Sequence, residues 1–154
     1  MYRALAAAGF PGAAAEARAA IGAALDKLAG KGKLSSADAG AAMARLGVVD
    51  RLEALAGCEV VVEAIVEELE AKRALFRALE PIVGERCTLA TNTSSLSVTA
   101  MAAGLGHPQR VAGFHFFNPV PLMRIVEVVG GLLTEEAVAG FLLELGRRMG
   151  HAAV

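Results

Sequence analysis

Cys58-Glu-Val-Val-Val-Glu-Ala-Ile-Val66 is a nearly unbroken apolar run, the pattern of a strand buried on both faces. A helical pattern from Glu67 to Leu79 follows, closed by Pro81, and then a second apolar run over residues 87–92. Two such strands joined through a helix call for parallel pairing, because a parallel connection must cross back over the sheet. Toward the C-terminus, Leu96–Ala103 reads as a short helix, and residues 110–116 and 124–129 as two more strands joined by an Asn-Pro-Val-Pro turn. The last helix has Thr134 as its expected cap and Glu135 and Glu136 in its first turn. Its apolar face is Val138, Phe141, Leu142, Leu145 and Met149; Arg147 and Arg148 suit the C-terminal end of the dipole, and Gly150 stops it.

Toward the N-terminus, residues 13–29 read as a helix with Ile21, Leu25 and Leu28 on one face, broken at Gly30-Lys-Gly-Lys33. Ser35 or Ser36 caps a second helix with Met43 and Leu46 as its stripe and Gly47 as its stop, before a stub strand at Val48-Val49 and a short turn through Leu55. The apolar opening, cut by Gly9 and Pro11, does not read as a leader peptide. Strands alternating with helices predict an α/β fold: a Rossmann-like parallel sheet flanked by helices, one unit over residues 1–154 without repeats or linkers.

Composition narrows the function classes. The chain has 154 residues and a formal charge of −1, with no basic block longer than Arg147-Arg148, so nothing marks a nucleic-acid or anionic-membrane partner. The uncharged stretch from Cys87 to Gly106 is long enough to span a bilayer, but its Thr, Ser and Asn residues would be costly there. Cys58 and Cys87 have no further cysteine and no metal-ligand spacing, which points to two buried thiols in a reducing cytoplasm.

Ligands of open parallel sheets gather at the C-terminal ends of the strands. Three such ends carry polar residues: Glu67-Glu68, Thr93-Ser94-Ser95 and His115-Phe-Phe-Asn118-Pro119. Singly, each has an ordinary explanation. Ser94 or Ser95 serves as a helix cap, His115 as a core histidine and Asn118 as a turn starter. Glu127, between Val126 and Val128, is harder to dismiss, because a carboxylate within a buried strand needs a partner. His115, on the expected adjoining strand, is that partner, and a Glu that fixes one imidazole tautomer is what a general base requires.

Asn92-Thr-Ser-Ser-Leu96 and His115-Phe-Phe-Asn-Pro-Val-Pro-Leu-Met-Arg-Ile-Val-Glu-Val128 closely resemble the signature of the L-3-hydroxyacyl-CoA dehydrogenase family, and Val61-Val-Glu-Ala-Ile-Val-Glu67 resembles its strand-to-helix segment. The resemblance implies NAD as cofactor and a 3-hydroxyacyl-CoA as substrate, with no metal. It makes His115 the base that takes the 3-hydroxyl proton and Glu127 the residue that orients it. Ser94 would hydrogen-bond the reacting oxygen near the nicotinamide, and Asn118 would fix cofactor and substrate. Glu67 and Lys72 would meet the ribose and nicotinamide side of NAD, and Lys31 the CoA phosphates.

The same resemblance implies what the sequence lacks. No G-x-G-x-x-G occurs, the segment from Ala4 to Gly12 retains at most a remnant of the helix after that turn, and a C-terminal helical domain would follow Val154. The expectation is therefore an incomplete sheet, a half-built NAD site and an unpaired edge on the 58–66 strand that favours homo-oligomers. Two other readings stand beside the leading one. One is a dehydrogenase of a related 3-hydroxy acid; the other is a non-catalytic module that binds CoA or a partner chain.

Overall fold

The computed structural model describes residues 2–5, by backbone only, and residues 12–154. The chain forms two compact units, Met1–Leu55 and Ala56–Val154. In the first unit, β1 (Tyr2–Leu5) is followed by α1 (Ala13–Gly30), α2 (Ser36–Ala44) and β2 (Leu46–Val49). β1 and β2 pair in parallel, Tyr2 opposite Leu46 and Leu5 opposite Val49. Ala4 and Leu5 thus belong to a strand rather than to a helix remnant, and residues 6–11, with Gly9 and Pro11, lie outside the described residues.

Ser35 caps α2 as expected: its hydroxyl accepts from the Asp38 N–H at 3.0 Å. The helix ends at Ala44, however, so Leu46 and Gly47 are strand residues and not its stripe and stop. Pairing with β1 gives their backbone groups partners that another helical turn would forfeit. On α1, Leu25 is half-buried, but Ile21 and Leu28 of the expected apolar face are exposed.

The second unit holds β3 (Val60–Glu63), α3 (Leu69–Leu79), β4 (Thr88–Thr91), α4 (Val98–Ala102), β5 (Val111–Phe116), β6 (Ile125–Gly130), α5 (Glu136–Arg148) and β7 (Ala152–Ala153). Its five-stranded sheet runs β3-β4-β5-β6-β7. All pairings are parallel except β5 with β6, which is antiparallel. The sheet is therefore mostly parallel and Rossmann-like, not wholly parallel as the apolar runs alone predict.

β4 is buried along its whole length, as its sequence requires. β3 is shorter than the 58–66 run and only partly buried, with Val62 exposed. Among the described residues it hydrogen-bonds β4 alone, so it is the sheet's edge. α5 lies over β5, β6 and β7, closing a core of Ala90, Ala112, Phe114, Val126 and Leu142. Phe141 and Met149, expected on its buried face, are exposed; Leu142 and Gly146 are the buried positions. Glu135, not Thr134, is its N-cap residue, because the Thr134 hydroxyl is occupied elsewhere, donating to Val111 O at 2.6 Å. Cys87 is buried, while Cys58 is only half-buried.

Candidate active site

The apolar run at 60–63 ends in Glu63, whose side chain is 0% exposed. Lys72, one turn into α3, points back at it and is equally shut from solvent, its Nζ 2.7 Å from Glu63 Oε1. A charge so placed must be fully partnered, since solvent no longer supports it. Glu63 Oε1 also accepts the Ile65 N–H at 2.5 Å, and Oε2 accepts the Thr91 hydroxyl at 2.7 Å. Lys72 makes two further contacts, to Glu67 Oε2 at 3.2 Å and Ile65 O at 3.3 Å.

Glu67 follows the strand, and 40% of its side chain is exposed. The β4-to-α4 loop approaches it: the Thr93 hydroxyl and the Ser94 N–H, at 3.1 Å, both donate to Oε1. Desolvation acts to raise the Glu67 pKa. The Thr93 hydroxyl, the Lys72 ammonium and the Ser94 N–H outweigh it and hold the carboxyl below its ordinary value, so the group is ionised.

His115 and Glu127 face each other across the antiparallel β5–β6 pair, His115 Nδ1 lying 2.9 Å from Glu127 Oε2. A carboxylate accepts, so Nδ1 is the donor in this contact and Nε2 takes no part in it. The ring also packs on Phe117 at a centroid distance of 4.7 Å. The expected pairing is present, but the reason given for it is not. Glu127 is 44% exposed at its side chain, so burial does not force the contact. Cross-strand register alone brings the two groups together.

Asn92 ties the two groups of residues together. Its N–H donates to Glu63 O on β3 at 2.8 Å, and its Oδ1 accepts the Phe116 N–H at 2.8 Å. β4 stops pairing with β5 at Thr91 and Gly113, so the amide side chain carries the ladder on to Phe116 after the backbone has turned away. The loop of Thr93 and Ser94 is thereby held at the rim beside the strand that bears His115.

The structure thus brings Glu67, Lys72 and Ser94 into one hydrogen-bonded corner and His115 with Glu127 into another. Lys72 lies behind Glu67 rather than on the surface. Neither Ser94 nor Ser95 caps the following helix: Ser97 does, accepting from the Ala100 N–H at 3.2 Å. Asn118 is exposed beside Pro119. Lys31 is exposed at the end of α1, in the first unit. Thr93 stands in a polar strand end and Asn92 in the quoted motif, but sequence reading assigns no role to either of them, nor to Glu63 or Thr91. Glu63 was open to discovery, being a carboxylate inside the apolar run itself.

An exposed, ionised carboxylate beside a loop of hydroxyls fits the sugar and nicotinamide end of a dinucleotide, and the described residues include no glycine-rich turn for its pyrophosphate. The described residues contain no group of three or more His, Cys, Asp or Glu able to hold a metal, and no helix long and apolar enough to cross a membrane.

The family model described as "3-hydroxyacyl-CoA dehydrogenase, NAD binding domain" matches residues 7–154. The 3-hydroxyadipyl-CoA dehydrogenase of Escherichia coli K12 is 45% identical over 124 residues, covering 80% of this chain and 26% of that one. The probable 3-hydroxybutyryl-CoA dehydrogenase of Bacillus subtilis is 41% identical over 124 residues, again 80% of this chain but 43% of that one. The crystal structure of 3-hydroxybutyryl-CoA dehydrogenase from Escherichia coli K12 superposes with a TM-score of 0.94 at 40% identity, over 99% of this chain and 32% of that one. The chain therefore spans less than half the length of these relatives.

Proposed function

The chain belongs to the 3-hydroxyacyl-CoA dehydrogenase family, in its NAD-binding domain, and on that premise we propose that it carries the proton-transfer residues of an oxidoreductase converting 3-hydroxyacyl-CoA to 3-oxoacyl-CoA. The observation that carries this reading is the His115 Nδ1–Glu127 Oε2 contact of 2.9 Å, which leaves Nε2 free to take a proton. His115 accepts the proton of the substrate's 3-hydroxyl at Nε2, and Glu127 stabilises the imidazolium so formed. NAD, when bound, supplies the hydride acceptor. The Ser94 hydroxyl, carried on the loop whose N–H Glu67 holds, hydrogen-bonds the reacting oxygen. Asn118 and Glu67 fix substrate and cofactor around it, and Lys31 receives the CoA phosphates. Residues 1–154 act together as part of one NAD-binding domain, in the cytoplasm, with self-association through the β3 edge.

The test is NADH oxidation by the purified chain with acetoacetyl-CoA, beside His115→Ala. The expected outcome is turnover that falls by about 10²–10⁴-fold in the variant, the range for losing a general base. A second reading, a CoA- or partner-binding module without catalysis, is favoured by the 44% exposure of Glu127, since water weakens a charge's hold on the imidazole. No turnover above the variant, with acetoacetyl-CoA still bound, would decide for that second reading.

A further inference from the structure

We propose that Asn92 is a positioning residue for His115: its amide side chain fixes the peptide that follows the histidine and so aims the imidazole. The inference rests on the dehydrogenase reading above. The register between β4 and β5 ends at Thr91 opposite Gly113, two residues short of His115. Beyond Gly113, β5 finds register partners on β6 only, His115 opposite Glu127 and Phe116 opposite Val126. Asn92 Oδ1, 2.8 Å from the Phe116 nitrogen, adds a rung on the β4 side. A peptide N–H can only donate, so the oxygen of the amide is the atom that faces β5. Asn92 is itself anchored, because its own N–H donates to Glu63 O at 2.8 Å.

The group so held is the planar peptide that joins His115 to Phe116, and its orientation sets the ψ of His115. Phe116 is fixed through its side chain as well. Its ring lies edge-on to Phe114, at a centroid distance of 4.7 Å, and to His151 at 5.4 Å. Successive side chains of a strand point to opposite faces, so an anchored Phe116 directs His115 to the other face, where Glu127 meets it. Glu127 is 44% exposed, and a carboxylate in water orients a ring less firmly than a buried one. The backbone therefore supplies what the ion pair lacks. Asn92 also opens the loop of Thr93 and Ser94. One residue thus sets the gap between the Ser94 hydroxyl and the imidazole, which the proposed reaction brings to one substrate oxygen. Asn92 touches neither substrate nor cofactor in this role and acts only through His115.

The experiment compares the whole chain with Asn92→Leu, which keeps the volume and removes the acceptor, and Asn92→Asp, which keeps an acceptor at the same reach. The readouts are kcat and KM with acetoacetyl-CoA and NADH, and the nitrogen NMR spectrum of the His115 imidazole. In Asn92→Leu, kcat should fall about 10–100-fold, the scale of an ångström-size misplacement of a reacting group, while KM stays within about twofold. The imidazole of that variant should show both tautomers in place of the Nδ1–H form alone. Asn92→Asp should recover most of kcat and the single tautomer. If Asn92→Leu keeps the parent's kcat and His115 spectrum while only its unfolding midpoint falls, the residue is structural and the proposal falls. Asn92→Asp as impaired as Asn92→Leu, in kcat and in spectrum, would also overturn it, because the acceptor would then not be what counts. Should Asn92→Leu not fold, the His115 spectrum of Asn92→Ser, whose hydroxyl is too short to reach Phe116, decides in its place. A parent chain without turnover counts against the dehydrogenase reading, whereas the imidazole spectra judge Asn92 without any substrate.

Discussion

Glu80 shows how much one side chain holds in this molecule. It ends α3, and its carboxylate accepts the N–H groups of Gly106 and His107, each at 2.9 Å. It also faces Arg110, which is 4% exposed and donates to Gly84 O at 2.6 Å. Desolvation pushes the Glu80 pKa up, but the two N–H groups and the Arg110 charge prevail and hold it below 4.5. Glu80→Ala leaves two donors and a buried guanidinium short of a partner, and is expected to cost about 2 kcal/mol in urea denaturation. A carboxyl whose folded pKa is depressed contributes above its unfolded value and loses that contribution as pH falls through the folded one. The gap between parent and variant should therefore be widest at about pH 7 and shrink by about pH 3; a gap that does not shrink would deny the carboxylate this role. Glu63, Glu67 and Glu127 show what was legible at this scale. The requirement that a buried carboxylate find a partner was applied to Glu127, which is 44% exposed, whereas the fully buried acid is Glu63. Both carboxylates sit between apolar neighbours in sequence. Neighbours in sequence do not show which of them meets water: Glu63 is buried on the edge strand β3, and Glu127 is exposed on β6, a strand paired on both sides.

Gly146 governs how closely α5 can lie on the sheet. A Cβ there would come within 2.7 Å of Val126 Cγ1 and 3.1 Å of Ala153 Cβ. Val126 is wholly buried and has nowhere to move. Gly146→Ala gains about 1 kcal/mol of helix propensity but meets an overpacking cost of about 1–3 kcal/mol, so the net effect should be destabilising. Gly140 on the same helix has nothing within 4 Å of its would-be Cβ, and Gly140→Ala should stabilise by about 0.5–1 kcal/mol. Urea midpoints that move the same way in both variants would disprove this account of α5. The elements themselves were largely readable, β4 and α5 most clearly, because a buried run and an amphipathic helix each write their period into the sequence. The sense of β6 is readable too. The segment 117–124 is too short for a parallel crossover, so it forces an antiparallel return. Burial of β3 was not readable. An apolar run looks alike at the centre and at the edge of a sheet, and only the strand order shows that β4 is its one neighbour among the described residues.

The two compact units are unequal in what holds them. In Ala56–Val154 the core includes Phe76, Leu79, Leu89, Met101, Val111, Phe114, Val126 and Leu142, none more than 1% exposed. Among the described residues of Met1–Leu55 the buried apolar side chains are Ala14, Ala39 and Leu55, while Ile21 and Leu28 stand in solvent. Burying a large apolar side chain is worth about 1.5–3 kcal/mol and burying an alanine far less, so the described residues of the first unit gain much less from folding. All the candidate site residues except Lys31 belong to the second unit, where Asn92 locks three strands together. Local unfolding starts where buried apolar contact is least, so the first unit should open before the second. The amides of α1 and α2 are expected to exchange with solvent at least about tenfold faster than those of β4 and β5, a gap of about 1.4 kcal/mol in opening free energy. Limited proteolysis should cut within the first unit and leave a resistant piece beginning near Ala56. Equal protection of α1 and β4, with one unfolding transition for both, would instead deny this difference in stability between the units.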